Sequence, residues 1–424
     1  MRSMKQLFDI SANFSFYLLL AFLFLVNITI AGCYVIFTLL LIQLVIYTFR
    51  HLKSKISRDT TAVIPPWPQM PEFYKYFLLY ILFSFIATLF SIDRLNSLKD
   101  NKEFFIFLLI PIFLLVINSR KRLDYSLFAV MASTVVSSLI GVIITLKEGA
   151  SLDHRLQGLT SHWMTYSGLL MLVFIFFFVF LFYQKRMKLK VVISVLLLFI
   201  LASILLSLTR AMWVGIFVSL GLFIIYYKPK ILYLAVPALL ILILVLPGSV
   251  KSRIVSIFDM NNATNRDRLY MVTVGMNIFK DNPLTGVGPD NIKKIYDRYK
   301  PAEAELSNPH LHNNFLNVLA ERGILALLSL IAAFTVIIIQ LIKKIKTGIG
   351  LEKTISVGVL FVFTGFLVAG MFEYNLGDSE IKFFLFYFLS IPFIGFANEK
   401  ISSPQSHEDT KAHEECPGGK KGNP

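Results

Sequence analysis

Two things are scarce in this chain: cysteine and charge. Only Cys33 and Cys416 occur among the 424 residues. On the topology derived below they lie on opposite sides of a membrane, so they cannot pair. Neither a disulfide framework nor a thiolate metal site is then available. Charged residues make up 16% of the sequence and hydrophobic ones 56%. Soluble domains average about 25% charged and about 45–50% apolar, so this composition excludes one. No repeat of fixed period is present. Gly286-Val287-Gly288 lacks both the further glycine and the preceding strand of a nucleotide loop. Ile30-Ala31-Gly32-Cys33 has the form of a lipoprotein cleavage box. Apolar sequence continues directly to Phe49, however, and a cleaved signal peptide is not followed at once by another span.

What the chain has instead is long apolar runs. Inside lipid such runs must be helical, because no water is present to satisfy the backbone. The fold class is therefore all-α, a polytopic membrane protein of about twelve transmembrane helices. The spans fall near 14–30, 33–49, 73–91, 104–118, 125–146, 164–183, 190–207, 210–227, 231–247, 314–342, 354–373 and 381–397. The first two form one apolar block, divided at Ala31-Gly32. Residues 1–397 are read as one integral membrane domain and 398–424 as a polar, disordered tail.

The formal net charge of +15 would suggest nucleic acid in a soluble protein. Here it is cytoplasmic loop charge and sites for anionic lipid, and no nucleic-acid partner is expected. About nineteen Lys and Arg fall on one side of the membrane and about seven in the short loops of the other. The rich side is cytoplasmic by the positive-inside rule. Both termini are then cytoplasmic, and the loop at 248–312, between spans nine and ten, lies outside. Within it, 265–279 has helical spacing, with Leu269, Val272, Met276 and Phe279 on one face. Asp281-Asn282-Pro283 stops that helix, and Asp290 or Asn291 caps a second one running to Tyr299. The pair reads as an amphipathic lid on the outer leaflet.

The outer face collects arginine and histidine: Arg155, Arg210, Arg266, Arg268, Arg298, His310 and His312. Arg210 interrupts an apolar stretch from Val191 to Tyr227. A charge at that depth costs about 2.5–3.5 kcal/mol on insertion scales, so it has a function or a partner, unless it snorkels to the interface. Guanidinium binds phosphate oxygens through two parallel hydrogen bonds, so converging arginines suit a phosphate or pyrophosphate. For Arg268 a solvated surface charge is the competing reading.

Pro309-His310-Leu311-His312-Asn313-Asn314 sits where the loop ends and span ten begins. Asn308 is placed to cap a helix with Pro309 first, which puts both histidines in its first turn. The positive end of the helix would then hold imidazole neutral, fit to act as a general base. Residues two apart do not share a helical face, so one histidine is expected to face the site. The competing reading is an interfacial histidine bonded to loop backbone. No metal site is expected, because no third ligand has suitable spacing and no ligand carboxylates cluster nearby.

Taken together, Thr209-Arg210-Ala211, Arg268-Leu269-Tyr270-Met271 with Asn277-Ile278-Phe279 and Pro283, and Pro309 to Asn313 followed by Glu321-Arg322-Gly323 resemble the O-antigen ligase family. The resemblance covers residues 150–375. These membrane enzymes join surface polysaccharide to lipid A–core, and their relatives include O-antigen polymerases and protein O-oligosaccharyltransferases. The resemblance implies metal-independent glycosyl transfer, with no cofactor, at the periplasmic face of the inner membrane. The donor would be a glycan on undecaprenyl pyrophosphate, and the acceptor lipid A–core or another glycan. It implies that His312 is the general base and that Arg210 and Arg268 hold the pyrophosphate. Arg155 matches less closely, while Arg266 and His310 are added by proximity. Polymerase and protein-glycosylating readings use the same donor. A flippase or transporter should show paired interrupted spans in two related halves, and no such duplication is present.

Overall fold

Every regular element among the described residues, which are 4–57, 67–148 and 155–395 of this computed structural model, is a helix. Cys416, His154 and the expected disordered tail at 398–424 lie outside the described residues. The chain opens with α1 (Met4–Leu25), α2 (Ile30–Ser57), α3 (Phe73–Leu89) and the short α4 (Arg94–Asp100). A 3-10 stretch (Asn101–Leu108) leads into α5 (Leu109–Val116), α6 (Arg120–Glu148), α7 (Trp163–Tyr183), α8 (Met187–Leu206), α9 (Arg210–Tyr227) and α10 (Leu232–Val245). The long loop holds α11 (Gly248–Val255), α12 (Ala263–Asp281) and α13 (Ile292–Tyr299). The chain then returns through α14 (Asn314–Thr347), α15 (Gly350–Ala369) and α16 (Ser379–Ser390).

Seven of these helices, α2, α6, α7, α8, α9, α14 and α15, are long and apolar enough to cross a membrane. Shorter apolar stretches occupy Ala12–Leu25 and Phe73–Leu89. The remaining expected spans are helical but short. The one at 104–118 changes character at Leu109, because Pro111 cannot sit inside a continuous α-helix that began before residue 107. Pro237 lies inside the short α10, and α16 ends just before Ile391-Pro392-Phe393. The break in the first apolar block also moves. It falls at Val26–Thr29, not at Ala31-Gly32, which lie in the first turn of α2. Thr29 accepts a hydrogen bond from the Gly32 amide, and the buried Asn27 donates to Ser133 and Thr134 of α6. Two polar residues with partners thus fix a turn that composition alone did not mark. Cys33 is buried within α2.

The centre of the bundle is α7, α15 and α16. α7 is apolar all round and largely buried, and every residue of α16 is buried. α15 packs on α7, α9 and α14, while α14 also lies along α3. A second, smaller core ties the long loop to this bundle. In it, Met271, Val274 and Ile278 of α12 meet Ile292 and Tyr296 of α13 and Leu311, Leu316 and Ala320 near the start of α14. The expected apolar face of α12 is therefore not the packed one. Leu269, Val272 and Met276 are exposed, so α12 carries an apolar stripe on each side. The cap of α13 also differs. Asn291 precedes that helix but spends its side-chain amide on Ser91 and Ser97, pinning the loop to α3 and α4.

Candidate active site

The long loop is seated on a break in α14. Gly323 takes φ 76°, a left-handed value that a side chain resists. The break frees two carbonyls of the preceding turn. Val287 and Gly288 donate their amides to Ala320 and Glu321, and Ile324 donates to Pro283. A methyl on Gly323 would stand 2.1 Å from the Leu284 carbonyl oxygen. Gly323→Ala is therefore expected to lower the thermal unfolding temperature of the purified protein, with a cost on the order of 1–3 kcal/mol for the backbone strain alone. An unchanged unfolding temperature would mean that the loop is not fixed by this break.

Residues 307–313 carry the histidines, and here the structure departs from expectation. Asn308 and Pro309 start no helix. α14 begins at Asn314, and the side chain of Asn313 caps it by accepting from the amides of Phe315 and Leu316, each at 2.9 Å. His310 and His312 thus precede the helix and do not lie in its first turn. Nor does the rule that residues two apart diverge on a helix apply. The two rings lie 4.4 Å apart and both line one cavity. Burial, helped by the neighbouring His312, pushes the His310 imidazole down to about 4. His312 itself has φ 45°. Leu208, just before the Thr209 cap of α9, has φ 53°. Both motifs therefore hold one non-glycine residue in left-handed backbone, immediately before a helix cap.

The residue that completes this group is Glu373, which sequence reasoning missed. Its Oε1 accepts from His312 Nδ1 at 2.6 Å and from the Tyr374 amide at 3.1 Å, and lies 3.9 Å from His310 Nε2. The two asparagines of the motif bring it there. Asn313 donates to the Met371 carbonyl, while the backbone amide of Asn314 donates to Gly370 and its side chain accepts from Leu376. Burial raises the Glu373 carboxyl. The His312 hydrogen bond and the charges of His312, Arg268 and His310 outweigh this and hold it below the ordinary carboxylate range. An ionised carboxylate can only accept, so His312 carries its proton on Nδ1 and leaves Nε2 with a free lone pair. His310, His312 and Glu373 also offer three metal-ligand atoms within 4.8 Å of one another. The expectation that no third ligand stands near is thus corrected. The third ligand is 61 residues away in sequence, and only the tertiary contact supplies it.

A second group is cationic. Arg210 is 5% exposed and donates to the carbonyl (2.6 Å) and hydroxyl (3.1 Å) of Ser256, while its Nη2 has no partner. Arg253, which sequence reasoning did not single out, donates to the Leu208 carbonyl at 3.2 Å. Burial and the neighbouring Arg210, Arg155 and Arg268 push Arg253 down to about 10. Burial likewise lowers Arg268, opposed by Glu373 and Asp267. Arg155 lies with its guanidinium 4.8 Å from the ring centre of Trp163. Among the described residues no carboxylate is at ion-pair distance from Arg210, Arg253 or Arg268. Arg266 is exposed and outside the cluster, since residues two apart on α12 point in opposite directions. Arg298 is exposed as well.

The histidine group lines a cavity of about 660 Å³. Ser161, His162, Thr165 and Asp378 line it too, and burial pushes the Asp378 carboxyl up to about 7. The arginines are not among its lining residues. They adjoin it through Arg268, which acts on Glu373, and Arg155, which acts on His162. Glu321 and Arg322 of the Glu-Arg-Gly motif are buried beside it, with Arg322 paired to Asp100 at 2.8 Å. The arrangement brings a histidine–carboxylate pair next to Arg210, Arg253 and Arg268, none of which has a carboxylate at ion-pair distance among the described residues. It can take a proton at one point and stabilise a polyanion at another.

A multi-helical membrane protein with a histidine base candidate and converging arginines is the class these features define. Residues 195–331 match the family model described as O-Antigen ligase, so over this segment the chain is similar to that family. The matched segment contains Arg210, Arg253, Arg268 and His312, while Arg155 and Glu373 fall outside it. The family's activity is glycosyl transfer of the ligase or polymerase type, on glycan and lipid substrates in bacterial membranes. No curated protein matches the chain as a relative.

Proposed function

We propose that this protein transfers a glycan from undecaprenyl pyrophosphate to lipid A–core, at the periplasmic face of the inner membrane and without a metal. The observation that carries this reading is the adjacency of the His312–Glu373 pair to Arg268, which with Arg210 and Arg253 has no carboxylate at ion-pair distance among the described residues. His312 Nε2 takes the proton of the acceptor hydroxyl as its oxygen bonds to the anomeric carbon. Glu373 steadies the imidazolium that results. On the far side of that carbon the bond to the pyrophosphate oxygen breaks, and Arg210, Arg268 and Arg155 compensate the charge released. Arg253 joins them, and His310 contributes to binding around the site, whereas Arg266, exposed and outside the cluster, takes no part.

One base opposite one leaving group gives inversion at the anomeric carbon. NMR of donor and product should show opposite anomers, and retention would count against a single displacement. The test of the whole reading is a reconstituted assay. Lipid-linked glycan is offered in turn to lipid A–core, to further lipid-linked glycan and to a pilin-like protein. Transfer to lipid A–core is expected. Transfer only to one of the others would reassign the acceptor, and transfer to none would sink the reading.

A further inference from the structure

We propose that His310, His312 and Glu373 also form a binding site for a divalent transition-metal ion of the Zn²⁺ class, and that occupancy silences the base. The silencing rests on the transferase reading; the binding does not. The donors are two imidazole nitrogens and one carboxylate, gathered within 4.8 Å. Zinc bonds of about 2.0–2.2 Å in a tetrahedron hold donors roughly 3.4 Å apart. His310 Nε2 and Glu373 Oε1, at 3.9 Å, need to close slightly, and His312 Nδ1 and Glu373 Oε1, at 2.6 Å, to open slightly. A second observation points the same way. Glu373 is 4% exposed, yet its Oε2 has no hydrogen-bond partner. A buried carboxylate oxygen left unpaired is costly, and a cation held by both oxygens of this carboxylate would satisfy it.

The site is also reachable, since the His310 side chain is 35% exposed and all three residues line the cavity. His162 does not complete the set. Its Nδ1 already accepts from the Met164 amide at 3.2 Å, so its other nitrogen carries the proton. Three protein donors and an open fourth position remain, the pattern of an accessible zinc site. Two imidazoles favour zinc, cobalt and nickel over magnesium and calcium, which take oxygen ligands.

The effect on the base follows from where one proton sits. Without metal, His312 holds its proton on Nδ1, towards Glu373, and Nε2 is free to accept. A metal on Nδ1 takes that proton's place. The neutral ring then carries its proton on Nε2. One proton changes nitrogen through solvent, none is gained or lost overall, and nothing is oxidised. The nitrogen that accepted the acceptor's proton has become a donor.

The test uses the full chain, purified without a histidine tag, with His407→Ala, His413→Ala and Cys416→Ser to remove donors elsewhere in the sequence. Co²⁺ is titrated and its visible absorption followed, then displaced with Zn²⁺. One equivalent is expected, unaffected by excess Mg²⁺. Affinity should fall at least tenfold in His310→Ala and in Glu373→Gln. His310→Gln, which keeps more of the side-chain volume, is read beside them, with circular dichroism to confirm folding. Absence of a Co²⁺ spectrum, or variants that bind like the parent, would overturn the site. In the transfer assay Zn²⁺ should stop turnover reversibly and EDTA restore it. Full turnover at saturating Zn²⁺, or loss on EDTA restored by Zn²⁺, would overturn the silencing. If no transfer occurs under any condition, the functional reading fails while the Co²⁺ titration still decides the site.

Discussion

His312→Ala is expected to abolish glycan transfer while the protein stays folded in the membrane. General-base catalysis contributes about 10²–10⁴-fold, and alanine removes the group outright. Glu373→Gln should give a smaller loss, and the reason identifies its part. The glutamine oxygen can still accept from His312 Nδ1, which in the parent donates to the carboxylate at 2.6 Å, so the tautomer survives. What disappears is the negative charge that stabilises the imidazolium. Glutamine should therefore lower kcat with little change in the donor KM. Alanine at 373 also frees the ring and should approach the His312→Ala value. Measured rates for His312→Ala equal to the parent would sink the base assignment. A Glu373→Gln loss confined to KM would show that Glu373 binds substrate instead of positioning the base.

The second large effect is expected at the arginines. Arg210→Ala and Arg268→Ala should each cost about 10²–10³-fold, the scale seen when one preorganised donor to a developing charge is removed. Arg→Lys at either position should recover little, because an ammonium cannot give two parallel hydrogen bonds to phosphate oxygens. The lysine variants matter most for Arg210. Its guanidinium also bonds both the carbonyl and the hydroxyl of Ser256, so alanine there loosens the hold of α9 on the end of α11. Donor kinetics separate the two contributions, since a purely structural loss shifts the unfolding temperature together with the rate. Unchanged donor kinetics in both lysine and alanine variants would refute the pyrophosphate role.

How far the sequence could be read depends on whether a signal was local. The apolar helices were legible because lipid leaves the backbone no alternative to helix, though only seven of the twelve expected spans are long and apolar enough to cross a membrane among the described residues. The stop at Asp281-Asn282-Pro283 was equally local, and α12 ends at Asp281. Arg210 stood out because a charge inside an apolar run is expensive, and the structure buries it with a polar partner. The histidine motif was noticed, but its geometry was misassigned. Asn313 outcompeted Asn308 as the cap, and that single residue decided whether the histidines lie in a helix or before it.

Glu373 left a weaker trace. It closes an apolar segment on the same side of the chain's topology as His312, and a carboxylate in that place was a cue. Its use could not be read, because it depends on Asn313 and Asn314 bonding to residues 370–376 across a distance of about sixty residues. Arg253 carried no cue at all beside Lys251 and the other loop cations. The sequence by itself determined an all-helical membrane fold, two of the three helices of the long loop, and the residue types of a candidate base and anion site. The tertiary structure alone decided which face of α12 packs, where α14 breaks, and that His310, His312 and Glu373 meet. The division has a physical cause. Hydrophobic periodicity and charge burial act within a few turns of one segment, whereas partner choice among polar groups is settled only when distant segments pack.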